Sequence, residues 1–146
     1  MKNLILSALA ATMLTAATAA APVWAGQQGS AAETASETLY SGVWKKKTSK
    51  STGNWSIVKD GGRTFVKLSD DFKTRKAPDL KLFLSPLSAA EANGKNATEG
   101  AVLVAPLSSN AGAQTYEIPA GINLAANKSI LIHCEAYAKL WSAANL

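Results

Sequence analysis

Ser129-Ile130-Leu131-Ile132-His133-Cys134-Glu135-Ala136-Tyr137-Ala138-Lys139-Leu140-Trp141 carries the only cysteine and the only histidine of the chain. Read with the two-residue period of a strand, it separates into two faces. Ile130, Ile132, Cys134, Ala136, Ala138 and Leu140 make a wholly apolar face; Leu131, His133, Glu135, Tyr137, Lys139 and Trp141 make a mixed one. Alternation of this length predicts a half-buried strand, bent or interrupted along its course. It puts Cys134 on the core side and turns His133 away from it.

The same texture recurs upstream. Leu39–Trp44 and Asn54–Lys59 read as strands, and Asp60-Gly61-Gly62-Arg63 as a tight hairpin turn into a strand over Thr64–Leu68. The faces of that last strand are ambiguous, because Phe65 and Val66 fall on opposite sides. A charged loop with one apolar residue, Phe72, leads to Leu80-Lys81-Leu82-Phe83-Leu84, a strongly alternating strand closed by Pro86. Leu87–Gly94 gives the one helical signal. Ser88 and Glu91 have the spacing of a capping box and Gly94 is a natural stop, so a single short helical turn is expected. Ala101–Leu107 and Gln114–Pro119 are two further strands before the Cys134 stretch. Seven or eight short strands, regular turns and one helical turn predict an all-β antiparallel β-sandwich.

The ends are of different composition. Met1-Lys2-Asn3 is a positive start, Leu4–Ala21 is apolar and uncharged, and Val23-Trp24-Ala25 ends in small residues after Pro22. This predicts a secretory signal peptide over 1–25, with Ala21 as the other cleavage point, and a periplasmic or secreted protein. A membrane anchor would carry a basic flank after its apolar run, which is missing here. No later stretch is long and apolar enough to span a membrane. Residues 26–38 are Gly, Gln, Ser, Ala, Thr and Glu without periodicity and read as a flexible leader, leaving 39–146 as one domain. Loss of Lys2 takes the formal net charge from +5 to +4, much of it from Lys45, Lys46, Lys47 and Lys50. No aromatic-plus-basic groove or nucleic-acid motif accompanies that charge, and it reads as a solvated Lys-rich turn.

One cysteine in an exported chain makes no internal disulfide. It is a buried thiol, a ligand, an intermolecular partner or a reactive group. Reactivity needs a thiolate, hence a nearby cation; Lys128, His133 and Lys139 are the candidates, but His133 and Lys139 alternate away on a straight strand, and only a bulge near Glu135 changes that. Opposite faces also bar His133 and Cys134 from one ion, and neither a covalent-haem motif nor a second histidine for zinc is present, so no metal site is expected. A Gly-x-Ser-x-Gly elbow is missing, and Asp70, Asp71 and Asp79 read as turn caps, so no catalytic residue is assigned. Trp44, Trp55 and Trp141 are candidate core or interface anchors.

Several fragments, in order and spacing, resemble the DM-thirteen domain family: Gly42-Val43-Trp44, Gly53, Phe72, Ala77-Pro78-Asp79-Leu80-Lys81-Leu82-Phe83-Leu84, Gly112–Pro119 and Ser129–Cys134. The resemblance implies a small extracytoplasmic β domain acting in electron transfer or redox modification, an accessory rather than a catalyst. Its partner is implied to be another exported or membrane redox protein, with no nucleic acid. The family's signature cysteine corresponds to Cys134, implied to act as a bare thiol or as a ligand to a prosthetic group such as haem. His133, where the family usually has an aromatic residue, and Pro78 and Asp79 of the matching strand are secondary candidates. The other reading is a non-catalytic interaction module of the cell envelope with a structural buried cysteine.

Overall fold

The computed structural model describes residues 35–146; the expected signal peptide and the leader before Ala35 lie outside the described residues. Nine strands follow in order: β1 (Glu37–Val43), β2 (Lys45–Lys46), β3 (Asn54–Asp60), β4 (Arg63–Leu68), β5 (Leu80–Ser85), β6 (Val102–Pro106), β7 (Gln114–Glu117), β8 (Ser129–Cys134) and β9 (Lys139–Asn145). They form a four-stranded sheet, β1-β3-β4-β7, and a five-stranded sheet, β2-β9-β8-β5-β6. Every pairing is antiparallel. The all-β sandwich expected from the alternation is therefore the observed fold, with the two-residue edge strand β2 added where a lysine-rich turn was expected.

Local chemistry accounts for the connections. Asp60 pairs with Arg63 across a two-residue turn in which Gly61 and Gly62 both have positive φ, at 56° and 79°. Both values suit a turn that matches the twist of a hairpin. Trp44 lies between β1 of one sheet and β2 of the other and is buried where the chain crosses.

The main core fills the space between the sheets. Trp55, Ile57, Val66 and Leu68 face Leu82, Leu84, Ile130, Ile132 and Cys134 across it. Val66 and Leu68 resolve the ambiguity of β4: they point inward, while Phe65 lies on the outer face beneath the Arg63 guanidinium, 5.2 Å from its ring centre. Phe72, alone in its charged loop, is buried in the core.

A second apolar cluster covers the other face of the five-stranded sheet. Phe83, Leu131, Leu140 and Ala143 are roofed by Ala89, Ala92 and Ala97 of the connection between β5 and β6. Two covered faces explain why β5 and β8 read as nearly continuous apolar runs. The roof begins with the capping box: the Ser88 amide donates to Glu91 Oε2 at 2.9 Å, and the Glu91 amide to Ser88 Oγ at 3.3 Å. A single bond from the Ala92 amide to the Ser88 carbonyl closes the turn. Small alanines on its inner side let this turn lie close to the sheet.

Candidate functional site

Strand β8 is central in its sheet, and Cys134 is its last residue. On one side Cys134 pairs with Leu80 of β5, and on the other with Lys139 of β9. The chain then makes a 3-10 turn over Glu135–Tyr137, passes through Ala138 in the left-handed region (φ 49°), and returns as β9. The strand expected to be bent or interrupted is interrupted, as a hairpin.

The turn and a bulge change which residues share a face. The register steps from Ile132–Ser142 to His133–Leu140, so Trp141 is the extra residue. Trp141 consequently joins the inter-sheet core that holds Cys134, and Leu140 joins the outer cluster. Both assignments reverse those of a straight strand. The bulge lies on β9, the strand facing β8. The Trp141 carbonyl accepts the amides of Lys47 and Ser49 at 3.2 and 3.0 Å, and the Trp141 Nε1–H donates to the Arg75 carbonyl at 3.2 Å.

Cys134 and His133 do point to opposite faces, but neither is open. Cys134 is a free thiol with no exposed surface. His133 is 3% exposed, on the sheet face that the β5–β6 connection roofs and that alternation alone leaves in solvent. Its ring stands edge-on to Phe83 at 6.2 Å, and its Nδ1 has no hydrogen-bond partner. Burial lowers its pKa, against a smaller raising effect of the Glu135 carboxylate. The sign follows: a depressed folded-state pKa means that the unfolded chain binds the proton first. Stability is expected to be full above the ordinary histidine value near 6.5 and to fall as pH drops below it. Denaturation midpoints measured between about pH 7.5 and pH 5 in wild type and in His133→Phe check this; the slope belonging to one proton should vanish in the variant.

Asp79, one of the secondary candidates, lies next to the residue that pairs with Cys134. The Glu135 amide donates to the Asp79 carbonyl at 3.1 Å, directly past the Leu80–Cys134 pair. Lys81 ties the two segments from the side chains. Its Nζ bonds the Glu135 carboxylate and lies 3.3 Å from Asp79 Oδ1, and the Glu135 bond, followed by Asp79, holds the Lys81 pKa above its ordinary value against desolvation. Pro78, Asp79, Leu80, Leu107, Ser108 and Asn110 are among the lining of a hollow of about 280 Å³, which Cys134 does not line.

This geometry bears on the two forms of cysteine chemistry. A haem iron on Cys134 requires an open slot at the sulfur, and the sulfur is enclosed by core side chains; the closed packing does not fit that group. Among the described residues, no three His, Cys, Asp or Glu groups gather as metal ligands. Cys134 is also the residue that precedes the Glu135–Ala138 turn, all of whose residues are exposed. The roles of Lys81 and Trp141 were not foreseen. A lone lysine in an apolar strand was a usable signal for Lys81, whereas no residue pattern marks the bulge at Trp141.

A two-sheet β domain with one core thiol at the end of its central strand is the class that this fold and site define. The chain belongs to the electron transfer DM13 family, whose model matches residues 44–146. No curated protein and no solved structure matches it. Membership supports a redox role for the domain.

Proposed function

We propose that this protein is an exported, periplasmic redox accessory domain in which Cys134 exchanges electrons with a disulfide of another exported or membrane redox protein. The carrying observation is the position of Cys134 as the last residue of β8, followed directly by the exposed Glu135–Ala138 turn. That turn is held by the Glu135–Asp79 backbone bond and the Lys81 ion pairs, and all four of its residues are exposed. Local opening of such a segment costs less than global unfolding. In the open form the Cys134 thiol loses its proton to water, and the thiolate attacks one sulfur of the partner's disulfide. A new S–S bond forms to Cys134, the old one breaks, and the released partner thiolate takes up a proton. The leaving sulfur keeps the electron pair of the broken bond, one disulfide replaces another, and no other oxidant is required. Export is supported by the residue pattern of 1–25.

A second reading is favoured by the closure of the thiol itself: a structural cysteine in a non-catalytic interaction module of the cell envelope. A small disulfide separates the two. The native protein, purified from a periplasmic extract, is mixed with oxidised glutathione and weighed intact by mass spectrometry. The redox reading predicts a mature chain starting near Gly26 and a glutathione adduct absent from Cys134→Ala. An unmodified thiol after prolonged incubation under native conditions leaves the interaction module.

A further inference from the structure

The charges of the described residues are divided unequally between the two ends of the sandwich. At the Cys134 end gather the connections over 44–53, 69–79 and 107–113 and the turn over 135–138. The first carries Lys45, Lys46, Lys47 and Lys50, the second Lys73, Arg75 and Lys76, and Lys139 opens β9 opposite Cys134. None of these cations is ion-paired with a carboxylate of the described residues, whose only salt bridges are Arg63–Glu117, Lys81–Asp79 and Lys81–Glu135. Asp79 and Glu135, carboxylates of the same end, are thus already taken by Lys81. The opposite end, made by the Asp60–Arg63 turn and the connections over 86–101 and 118–128, has Arg63, Lys95 and Lys128 balanced by Asp60, Glu91 and Glu99. Lys45 and Lys46 also guard the sheet edge from pairing. Lys50, Lys73, Arg75, Lys76 and Lys139, all exposed, have no such duty.

The loops that carry these cations are pinned. Ser51 Oγ lies 2.8 Å from both Thr74 Oγ1 and Ser142 Oγ, all buried, and Ser142 Oγ donates to the Ser49 carbonyl at 2.9 Å. The Thr74 amide donates to the Asn110 carbonyl, and the Trp141 indole fastens Arg75. Beside Lys139, Tyr137 is 58% exposed, an amphipathic ring of the kind that anchors interfaces.

We infer that the Cys134 end is a docking face for the acidic surface of a protein partner. The inference rests on the redox reading for its purpose, since it brings an acidic disulfide protein to the end where the thiol lies. Asp70 and Asp71 interleave with the cations, which suits the mixed charges of a protein face better than the uniform negative field of a bilayer. Cations without a carboxylate partner among the described residues, carried on pinned loops, steer such an encounter, and salt weakens it.

The test titrates the ¹⁵N-labelled protein with oxidised thioredoxin, a small acidic disulfide protein, and follows amide shifts. Expected are shifts confined to 45–50, 73–76 and 135–139 that vanish in about 0.5 M salt, where screening lengths fall below the spacing of the charges. Lys73→Glu/Arg75→Glu/Lys76→Glu/Lys139→Glu should weaken binding at least tenfold, while Lys95→Glu/Lys128→Glu leaves it unchanged. If the fourfold variant loses its fold by circular dichroism, Lys76→Glu and Lys139→Glu singly should each weaken binding in the same sense. Shifts at the opposite end, indifference to these substitutions, or binding to phosphatidylglycerol vesicles without binding to thioredoxin overturns the inference. Cys134→Ala keeps the two claims apart. Retained docking alongside an inert native thiol removes the redox reading alone, and a reactive thiol without docking removes this one alone.

Discussion

Replacing Trp55 with alanine is expected to cost about 3–5 kcal/mol, a large share of the 5–15 kcal/mol that separates folded from unfolded domains. Trp55 is 1% exposed in the middle of the inter-sheet core and packs on Trp44 with ring centres 6.2 Å apart. Trp44 in turn meets Phe72 at 6.3 Å. The indole therefore links β3 to the crossover between sheets and to the loop before β5, and no small side chain spans those gaps. Gly42 confirms the closeness, since a Cβ there would lie 3.0 Å from a Trp55 ring carbon. Trp55→Phe is the informative contrast. The Trp55 Nε1–H is buried without a partner, and an unpaired buried donor costs about 1–3 kcal/mol. Phenylalanine removes that donor and keeps most of the ring, so its loss should be well under half that of alanine. Chemical denaturation at constant m-value measures both. Equal losses for the two variants would mean that the ring's size, and not the orphan donor, sets the cost.

Gly94→Ala is expected to loosen the Cys134 turn from outside. A Cβ at Gly94 would overlap the Ala138 carbonyl oxygen, a backbone atom that cannot swing away. Either the roof or the turn must move, at a cost of about 1–3 kcal/mol for overpacking. Ala138 already holds a left-handed conformation that is unfavourable for a residue with a side chain. The turn is the weaker of the two, so the displacement should fall there and raise native thiol reactivity roughly tenfold, beyond the change seen in Gly112→Ala. That control has a positive φ but open space around it. A Gly94→Ala protein that is less stable yet no more reactive at Cys134 would place the accommodation in the roof.

The fold was legible because its signals are local. Short apolar runs mark β5 and β8, and Asp60-Gly61-Gly62-Arg63 has the backbone freedom that a two-residue hairpin turn demands. The family resemblance singled out Cys134, with Pro78 and Asp79 as secondary candidates; the Leu80–Cys134 pair and the Asp79–Glu135 bond are known only from the fold. What stayed hidden is tertiary. His133 is buried on a sheet face whose apolar cluster includes alanines more than thirty positions away. The exchange of faces by Leu140 and Trp141 depends on a bulge and on Ala138, and an alanine in the left-handed region leaves no mark in a sequence. Phe72 looked like a lone apolar residue in a charged loop because the core that receives it is built by strands distant in the chain.

The central claim is that Cys134 opens locally, through its turn, while the sandwich stays folded. The most direct measurement is the rate at which native protein reacts with an aromatic disulfide reagent across a series of low guanidinium concentrations, in wild type and in Lys81→Ala. The account predicts a rate nearly independent of denaturant below the unfolding transition, raised in Lys81→Ala where the ion pairs that hold the turn are removed. A rate that rises with denaturant as steeply as the global unfolding constant, and that changes in Lys81→Ala only as far as global stability changes, would contradict it.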